Sequence, residues 1–487
     1  MSFADAIRRI FGRMLPKQSL EKKLNVQIAT SGVMDNAIQL WLSMYKNTPS
    51  WAGGKENITC LNLPAAIAEE LARLVLTEFE LDMTGSARAT FIKEQLEGTL
   101  NNLSNIIEMW CALGGIVLKP YASGEDENGN PDGIMVDIVQ ANRFYPTAFN
   151  SNKDVTGAVF VDTKRIGDYV YTRLEHHNLE GDHYTVINKA FRSERLNTMT
   201  TEDDQISVEH PFMQEVPLNS VDEWSGLEPI TEMDGIEHPF FVYIKIPRAN
   251  TVDPQSPLGS SVYSRATDVI KEADRQYTRI LWEYEAKEAA IDADETLFNT
   301  DRSGKPILPR GRERQYRTYD FGGTEKTGFI QAYSPEIRDS SLFNGLNKLF
   351  RTIELLCGLS YGTISDTSFL SGAERSATEI KYSKHRSYTV VNKMQQALES
   401  GLNDLILVMG IVCSLYGLVP EGAIETKVTW GDGILEDTEL EYQRRWAMVM
   451  AGKLKLEKFY AWYFGCTEEA AKELIPEPSP SLYPPAE

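Results

Sequence analysis

The chain has few cysteines, and their spacing suits neither a disulfide framework nor a zinc site. Only five of its 487 residues are cysteine, and no two of them form a CxxC pair. Disulfide-rich domains and thiolate zinc sites use closely spaced pairs of cysteines. The scattered, odd-numbered set therefore argues against both and fits a protein that folds in a reducing compartment.

Long apolar runs are missing as well. The best candidate for a membrane span, residues 405–418, is uncharged but only about 14 residues long, which suits a buried core helix better. Residues 1–17 interleave arginines with apolar residues, so they predict a short amphipathic docking helix and not a secretory signal. A membrane-surface anchor is the alternative interpretation of that helix. We expect a soluble protein without a membrane partner.

Catalytic and metal-binding motifs are either absent from the sequence or lie in the wrong structural context for their chemistry. The sequence contains no GxxxxGK[ST] phosphate loop and no HExxH. Residues 358–362 match the GxSxG of hydrolases, but an amphipathic helix precedes Ser360 where that motif requires a buried strand. A helix stop explains the stretch better. The adjacent His176 and His177 lie on a strand-like segment and point to opposite faces, so they cannot share a metal. We expect no catalytic residue, no metal and no cofactor, in a protein that is not an enzyme.

Basic residues are the minority. The chain has 49 Lys and Arg against 70 Asp and Glu, a net charge of −21. Neutralising phosphates needs clustered cations, so any contact with DNA must be brief, local or sterically imposed. One basic cluster stands out: Arg310, Arg312, Arg314 and Arg317. It is either a solvated strand edge that resists sheet-to-sheet aggregation or a docking surface for an acidic partner or a DNA backbone.

The length and the apolar content predict two to four domains with packed cores. The first 110 residues show mainly helical periodicity, including a helix over 61–79. From Gly115 the pattern changes to strands. The segments GIVLKPYAS and GIMVDIVQA flank a polar loop as a hairpin would, and three more segments continue an antiparallel meander. An acidic, turn-rich stretch fills 200–237, and a strand over 240–246 closes this half.

Long amphipathic helices dominate the second half. Apolar residues recur at intervals of three and four from Val262 to Tyr284, which predicts a helix capped by Ser260 or Ser261. Thirty helical residues span about 45 Å, which is too long for a small domain to cover alone. After a mixed segment, 291–333, the run Ser334-Pro335-Glu336 predicts the start of a second helix.

A polar loop over 358–375 is longer than most helix–helix links. The capping box at 376–379 opens a third helix, which can run to Tyr416 over roughly 60 Å. Gly401 and Gly410 are weak points where it could bend. A short strand, KVTWGD, then leads to helices over 439–450 and 468–474, and a proline-rich tail is expected to be unfolded.

These elements, in this order, resemble the portal proteins of tailed bacteriophages of the siphovirus type. CALGGIVLKPY and VDIVQANRFYPTAFN are similar to the wing of that family, and PLGSSVYSRATDVIKEADRQYTRILWEYE to its first stem helix. SGAERSATEIKYS resembles its loop-to-spine junction, and WGDGILEDTELEYQRRWAMVMAGKL its C-terminal segment. The resemblance covers nearly the whole chain, and the order and spacing of these moderately specific motifs carry it.

The resemblance implies an α+β portal fold: a mixed α/β wing, two long antiparallel stem helices, a small α/β clip, a long spine helix and a helical crown. The implied boundaries are the N-terminal wing 1–257, descending stem helix 258–290, clip 291–333, ascending stem helix 334–357, tunnel loop 358–375, spine helix 376–417, C-terminal crown 418–475 and disordered tail 476–487.

The implied function is that of a structural subunit. Copies form a ring, usually of twelve, at one capsid vertex, and double-stranded DNA enters and leaves through its channel. The implied partners are the terminase large subunit, the major capsid and scaffold proteins, and a tail adaptor or head-completion protein. The protein would lie in the virion, and in the host cytoplasm during assembly. Two alternatives stay open. One is another phage head–tail structural or adaptor protein, and the other is an enzyme that uses Ser360.

Three sets of residues follow from this interpretation. The loop is expected to face the channel and contact DNA through Thr363, Ser365, Thr367, Ser368, Ser371 and Arg375. The clip is expected to dock the adaptor through Arg310, Arg312, Arg314 and Arg317. The first stem helix is expected to pack between subunits through Val262, Val269, Tyr277 and Ile280.

Overall fold

The computed structural model describes residues 17–53, 57–124, 131–194, 214–288, 290–299, 305–308, 316–319, 330–333, 336–366, 377–430, 438–465 and 467–475. The chain divides into two units, Met1–Thr429 and Trp430–Glu487. Helices and several small sheets make up the first unit, so the α+β class is confirmed. Residues 1–16 of the predicted amphipathic helix and the proline-rich tail lie outside the described residues.

The N-terminal part is helical, as predicted. Its helices are α1 (Lys17–Leu24), α2 (Gly32–Tyr45), α3 (Leu63–Val75), α4 (Ala87–Asn101) and α5 (Leu103–Leu113). The side chains of Ser31 and Ser86 accept backbone hydrogen bonds at the starts of α2 and α4, so these two helices have standard N-caps. A strand that the sequence did not predict, β1 (Glu80–Thr84), separates α3 from α4 and pairs with β14 (Glu425–Thr429).

The predicted hairpin is present as β2 (Gly115–Ser123) and β3 (Gly133–Gln140), paired antiparallel. The strand expected over 240–246 is shorter: β10 (Val242–Lys245) pairs with the other edge of β2. Six residues of β2, from Gly115 to Pro120, are buried without alternation because the long helix Ala377–Tyr416 packs on this sheet.

The predicted meander forms the largest sheet. Its strands are β4 (Phe144–Phe149), β5 (Val155–Ile166), β6 (Tyr169–Glu180), β7 (His183–Glu194) and β8 (Gln214–Val216), and β9 (Ile230–Asp234) also pairs with β7. The stretch 200–237, expected to be acidic and rich in turns, therefore also contains two strands, β8 and β9. His177 bonds the Tyr184 hydroxyl at 2.6 Å and Glu175 at 2.8 Å, while the neighbouring His176 contacts Thr147 instead.

Two helices of the second half begin later than predicted. Helix α6 (Thr267–Ala286) follows one 3-10 turn, so neither Ser260 nor Ser261 caps it, and its length is about 30 Å instead of 45 Å. The tertiary fold explains the difference, because the buried Ser261 hydroxyl donates to the Cys111 carbonyl oxygen of α5. Helix α7 (Asp339–Cys357) has Arg338 at its N-cap position, so the predicted start at Ser334 is wrong.

Between α6 and α7 lies a small sheet, as the mixed segment predicted. Strand β11 (Ala290–Asp294) is central, with β12 (Tyr316–Tyr319) parallel on one side and β13 (Ile330–Tyr333) antiparallel on the other.

The longest helix, α8 (Ala377–Tyr416), has 40 residues and spans about 60 Å, as predicted. It continues through Gly401 and Gly410. A Cβ at Gly401 would lie 2.3 Å from Ile244 Cδ1, so this glycine permits close packing on β10. By length and composition, 386–416 is apolar enough to cross a membrane, but half of its apolar window is buried inside the chain, as in a core helix.

The second unit contains α9 (Thr438–Met450), α10 (Leu456–Phe464) and α11 (Glu468–Glu473). The first and last match predicted helices, whereas α10 was missed. Its aromatic residues pack on α9: the ring of the buried Phe459 lies 5.4 Å from the rings of Tyr442 and Trp446.

Candidate functional site on the helix pair and its loop

Helices α6 and α7, called the helix pair below, run antiparallel. At one end the Glu283 carboxylate accepts hydrogen bonds from the Arg338 guanidinium at 3.1 and 2.9 Å. At the other end Arg248 donates to the carbonyl oxygens of Val262 and Leu356. The C-terminal end of α6 therefore lies beside the N-terminal end of α7, as an antiparallel arrangement requires.

At the end next to the small sheet, ion pairs hold the helix pair together. Glu283 is almost fully covered and accepts from both Arg338 and Lys287, whose ammonium lies 2.7 Å away. Hydrogen bonds from Arg338 and then from Lys287 lower the pKa of Glu283 to about 2. The carboxylate therefore stays ionised at neutral pH and holds the two helices together at this end.

The apolar stripe predicted to lie between subunits faces the inside of its own chain. Val262 and Ile280 are buried, and Val269 and Tyr277 are half-buried. Val262 and Ile280 therefore cannot contact another subunit while the helix pair is closed, and this part of the prediction is corrected. Periodicity identifies a buried face, but it does not identify the surface that covers it.

The loop after α7 begins with a fixed segment, residues 358–366, called the anchored loop below. Gly358 ends α7 in the left-handed conformation, with φ +84°. Glu354, with no exposed surface, then accepts hydrogen bonds from three backbone N–H groups of the loop and from one hydroxyl. The donors and distances are Gly362 N at 3.1 Å, Ile364 N at 2.7 Å, Ser365 N at 2.8 Å and Ser365 Oγ at 2.8 Å.

A second side chain of α7 holds the far end of the anchored loop. Asn347 Nδ2 donates to the carbonyl oxygen of Asp366 at 2.9 Å, and Asn347 Oδ1 accepts from the Asp366 N–H at 2.8 Å. Asn347 and Glu354 are seven residues apart and so lie on one face of the helix. A polar pair at that spacing on an otherwise amphipathic helix is the sequence signal that could have revealed the anchor.

The anchor changes the roles of two predicted DNA-contacting residues. Ser365 is only 5% exposed and its hydroxyl donates to Glu354, so the prediction that it contacts DNA is wrong for this conformation. Thr363 is exposed, but its hydroxyl donates to the Ser360 carbonyl oxygen at 2.8 Å. Gly362 forms a turn with φ +90°, and its N–H donates to Glu354. Thr367, Ser368, Ser371 and Arg375 lie outside the described residues.

The match to GxSxG does not form a nucleophile elbow. Ser360 follows a helix and not a strand, and its Oγ lies 2.8 Å from Ser387 Oγ, which links the anchored loop to α8. Gly358 is the end of α7, so the interpretation of this stretch as a helix stop is confirmed.

A cavity of about 450 Å³, called the groove below, lies between α7 and the anchored loop. Its lining includes two acidic residues, Asp339 and Asp366, and the apolar residues Phe343, Leu346, Phe350 and Ile364. The hydrogen bonds of Glu354 and Asn347 fix the loop side of the groove. A preformed apolar cavity with a few polar groups is a typical binding site.

Of the four predicted clip arginines, only Arg317 is among the described residues. It lies on β12, an edge strand, and its Nε is 2.9 Å from Asp292 Oδ1 on the adjacent β11. The Arg317 side chain is therefore already paired with a carboxylate of its own sheet. Docking of an adaptor by Arg310, Arg312, Arg314 and Arg317 stays a prediction.

Within the described part of the chain, no three His, Cys, Asp or Glu residues are grouped as metal ligands. The four described cysteines, Cys60, Cys111, Cys357 and Cys413, are free thiols.

No family model and no curated protein matches the chain. Among the solved structures, one match is a chain of the "Neck of native GTA particle computed with C12 symmetry". The two share 12% sequence identity, and the match covers 83% of this chain and 90% of that chain with a TM-score of 0.40. A TM-score below 0.5 is too low to support a conclusion, so we infer neither fold nor function from this match.

Proposed function

We propose that this chain is the portal subunit of a tailed bacteriophage. Copies form a ring, usually of twelve, that surrounds the channel for packaging and ejection of double-stranded DNA. The order of elements in the second half carries the proposal. An antiparallel helix pair flanks a small mixed sheet, an anchored loop follows, and the 40-residue helix α8 comes next. This is the stem, clip, stem, loop and spine order of the family that the sequence resembles.

Assembly is supported by apolar surface on the first helix of the pair. Leu281, Trp282 and Tyr284 are exposed near the C-terminal end of α6, although their neighbour Ile280 is buried. Adjacent exposed large apolar residues on a protein surface usually mark a contact with another molecule. In a ring, each subunit would cover such surface on its neighbour.

The charge of the chain supports a channel through which DNA slides. Twelve copies at −21 each would carry a charge of roughly −250, and a channel of that sign repels phosphates. The anchored loop supports the same role, because Glu354 and Asn347 hold it against α7 up to Asp366. We assign the contact with passing DNA to Thr367, Ser368, Ser371 and Arg375.

The proposed role is structural and not catalytic. The subunit would work with the terminase large subunit, the capsid and scaffold proteins, and a tail adaptor at the clip. It would occupy the portal vertex of the virion, and the host cytoplasm during assembly.

A shortened loop tests the role in packaging. Deleting residues 367–371 removes three of the four DNA-contacting residues and leaves Glu354, Asn347 and the anchored loop intact. Procapsids assembled with this variant should form normally but package much less full-length DNA. The matched control deletes residues 126–130, four polar residues and a glycine between β2 and β3, and should package normally. Normal genome yield with the 367–371 deletion would show that the loop is only a connector.

A further inference from the structure

The helix pair carries an exposed aromatic side chain and an apolar groove. We propose that they bind each other between neighbouring copies: Trp282 of one chain inserts into the groove between α7 and the anchored loop of the next. The inference rests on the proposed ring and names the contact that builds it.

The groove is suited to an aromatic side chain. Phe343 and Phe350 line it with Ile364, and Phe343 is 37% exposed although it lies beside the buried Leu346. Its volume of about 450 Å³ is ample for an indole ring. The loop side is held by the hydrogen bonds from Ile364 N and Ser365 N to Glu354, so the groove needs no rearrangement before it binds.

Trp282 cannot fill the groove of its own chain. It lies about 200° around α6 from Ile280, and Ile280 belongs to the buried face of the helix pair. The indole therefore points away from α7. It is 63% exposed, the largest exposure of any aromatic side chain among the described residues. A second copy of the chain can present Trp282 to this groove.

Charge favours the same pairing. Asp339 and Asp366 belong to the lining of the groove and are exposed. Arg279 lies one turn before Trp282 on α6, and its side chain is largely exposed beside its ion-pair partner Glu272. When Trp282 enters the groove, Arg279 arrives next to carboxylates of the neighbouring chain. Tryptophan and arginine are the residues that most often dominate protein interfaces.

The contact joins two different surfaces of the subunit, so it is heterologous and can propagate into a closed ring. One interface uses Trp282 of the first copy and the groove of the second. The second copy then offers its own Trp282 to a third.

The test uses the purified full-length chain in sedimentation velocity. Trp282→Ala and Phe343→Asp should each raise the concentration for half-maximal ring assembly at least about tenfold. Trp282 is 63% exposed in the single chain, so Trp282→Ala should not change its circular dichroism or thermal midpoint. Phe343 is 37% exposed, so Phe343→Asp should keep the circular dichroism of the folded chain with a lower thermal midpoint. Leu355→Ser is the matched control, because Leu355 is an exposed residue of α7 that does not line the groove. It should assemble normally.

Mixing the two variants is the more specific experiment. A Phe343→Asp chain still has Trp282, and a Trp282→Ala chain still has the groove, so one intact interface can form per pair. The mixture should give dimers and no rings, while each variant alone gives monomers. Rings from either variant at the wild-type concentration would overturn the proposed contact and leave the ring itself standing. Absence of rings from the wild-type chain would contradict the proposed function as well.

Discussion

Replacing Glu354 by alanine should release the anchored loop from α7. The carboxylate accepts hydrogen bonds from three backbone N–H groups and one hydroxyl, and the alanine side chain can accept none. A hydrogen bond to a charged group contributes about 1.5–3 kcal/mol. Four of them set an upper limit of about 6–12 kcal/mol, which applies only if the loop stayed in place with its donors buried.

The loop does not have to stay in place, so the actual cost is smaller. Gly362 is exposed and Ile364 is half-buried, and local opening lets their N–H groups reach water. Ser365 is the buried donor that opening must expose. We therefore expect a loss of about 2–4 kcal/mol in the free energy of loop opening, with a smaller loss in global stability.

Amide hydrogen exchange measures this loss directly. A decrease of about 2–4 kcal/mol corresponds to roughly 30- to 1,000-fold faster exchange at Gly362, Ile364 and Ser365. Glu354→Gln is the control: its amide oxygen can keep the three N–H bonds and its NH₂ can donate to Ser365 Oγ, so we expect a loss of about 1 kcal/mol. Wild-type protection of these three amides in Glu354→Ala would refute the role of Glu354 as the anchor.

Three further predictions concern the packing around the site. Arg88→Met should lower global stability by about 3 kcal/mol in urea unfolding, because three carbonyl oxygens near the C-terminal end of α8 lose their guanidinium donor. Gly401→Ala should cost about 1–3 kcal/mol by overpacking against Ile244, and Ile244→Val in the same chain should recover part of it. Glu283→Gln should lower the thermal midpoint at neutral pH. This difference should disappear on acidification, because the pKa of Glu283 is held at about 2 in the folded chain and is about 4.3 in the unfolded chain, so the stabilisation is complete above about pH 4.3 and is lost as the pH falls through about 2.

Each of these three predictions has a clear contrary result. Unchanged urea midpoints for Arg88→Met would mean that water replaces the guanidinium without cost. Equal losses for Gly401→Ala with and without Ile244→Val would place the overpacking elsewhere. A Glu283→Gln deficit that persists at pH 2 would show that the ion pairs are not its cause.

Hydrophobic periodicity within one segment was enough to predict the long strands and the longest helix. The meander β5–β7 and the 40 residues of α8 follow from period-2 and period-3.6 patterns that a single segment contains. The starts of α6 and α7 could not be predicted in the same way. Ser261 is a good N-cap residue, but its hydroxyl bonds Cys111, which is 150 residues away in the sequence.

Non-local pairings explain the rest of the differences. Strand β1 pairs with β14 across most of the first unit, and the five residues of β1 have too little pattern to be identified alone. The strand predicted as KVTWGD overlaps the C-terminal part of β14. The loop was predicted to be functional from its length and polarity, and that role stays a prediction. Its anchor depends on Glu354 and Asn347, which the helix pattern alone did not single out. The apolar stripe was predicted from Val262 to Tyr284, but the chain itself covers Val262 and Ile280 and leaves Tyr284 exposed.

End-on electron micrographs of the purified full-length chain test the central claim most directly. The portal proposal predicts class averages of a closed ring, usually with twelvefold symmetry, around an open channel wide enough for duplex DNA. Only monomers, closed dimers or open filaments at micromolar concentration and physiological salt would contradict it.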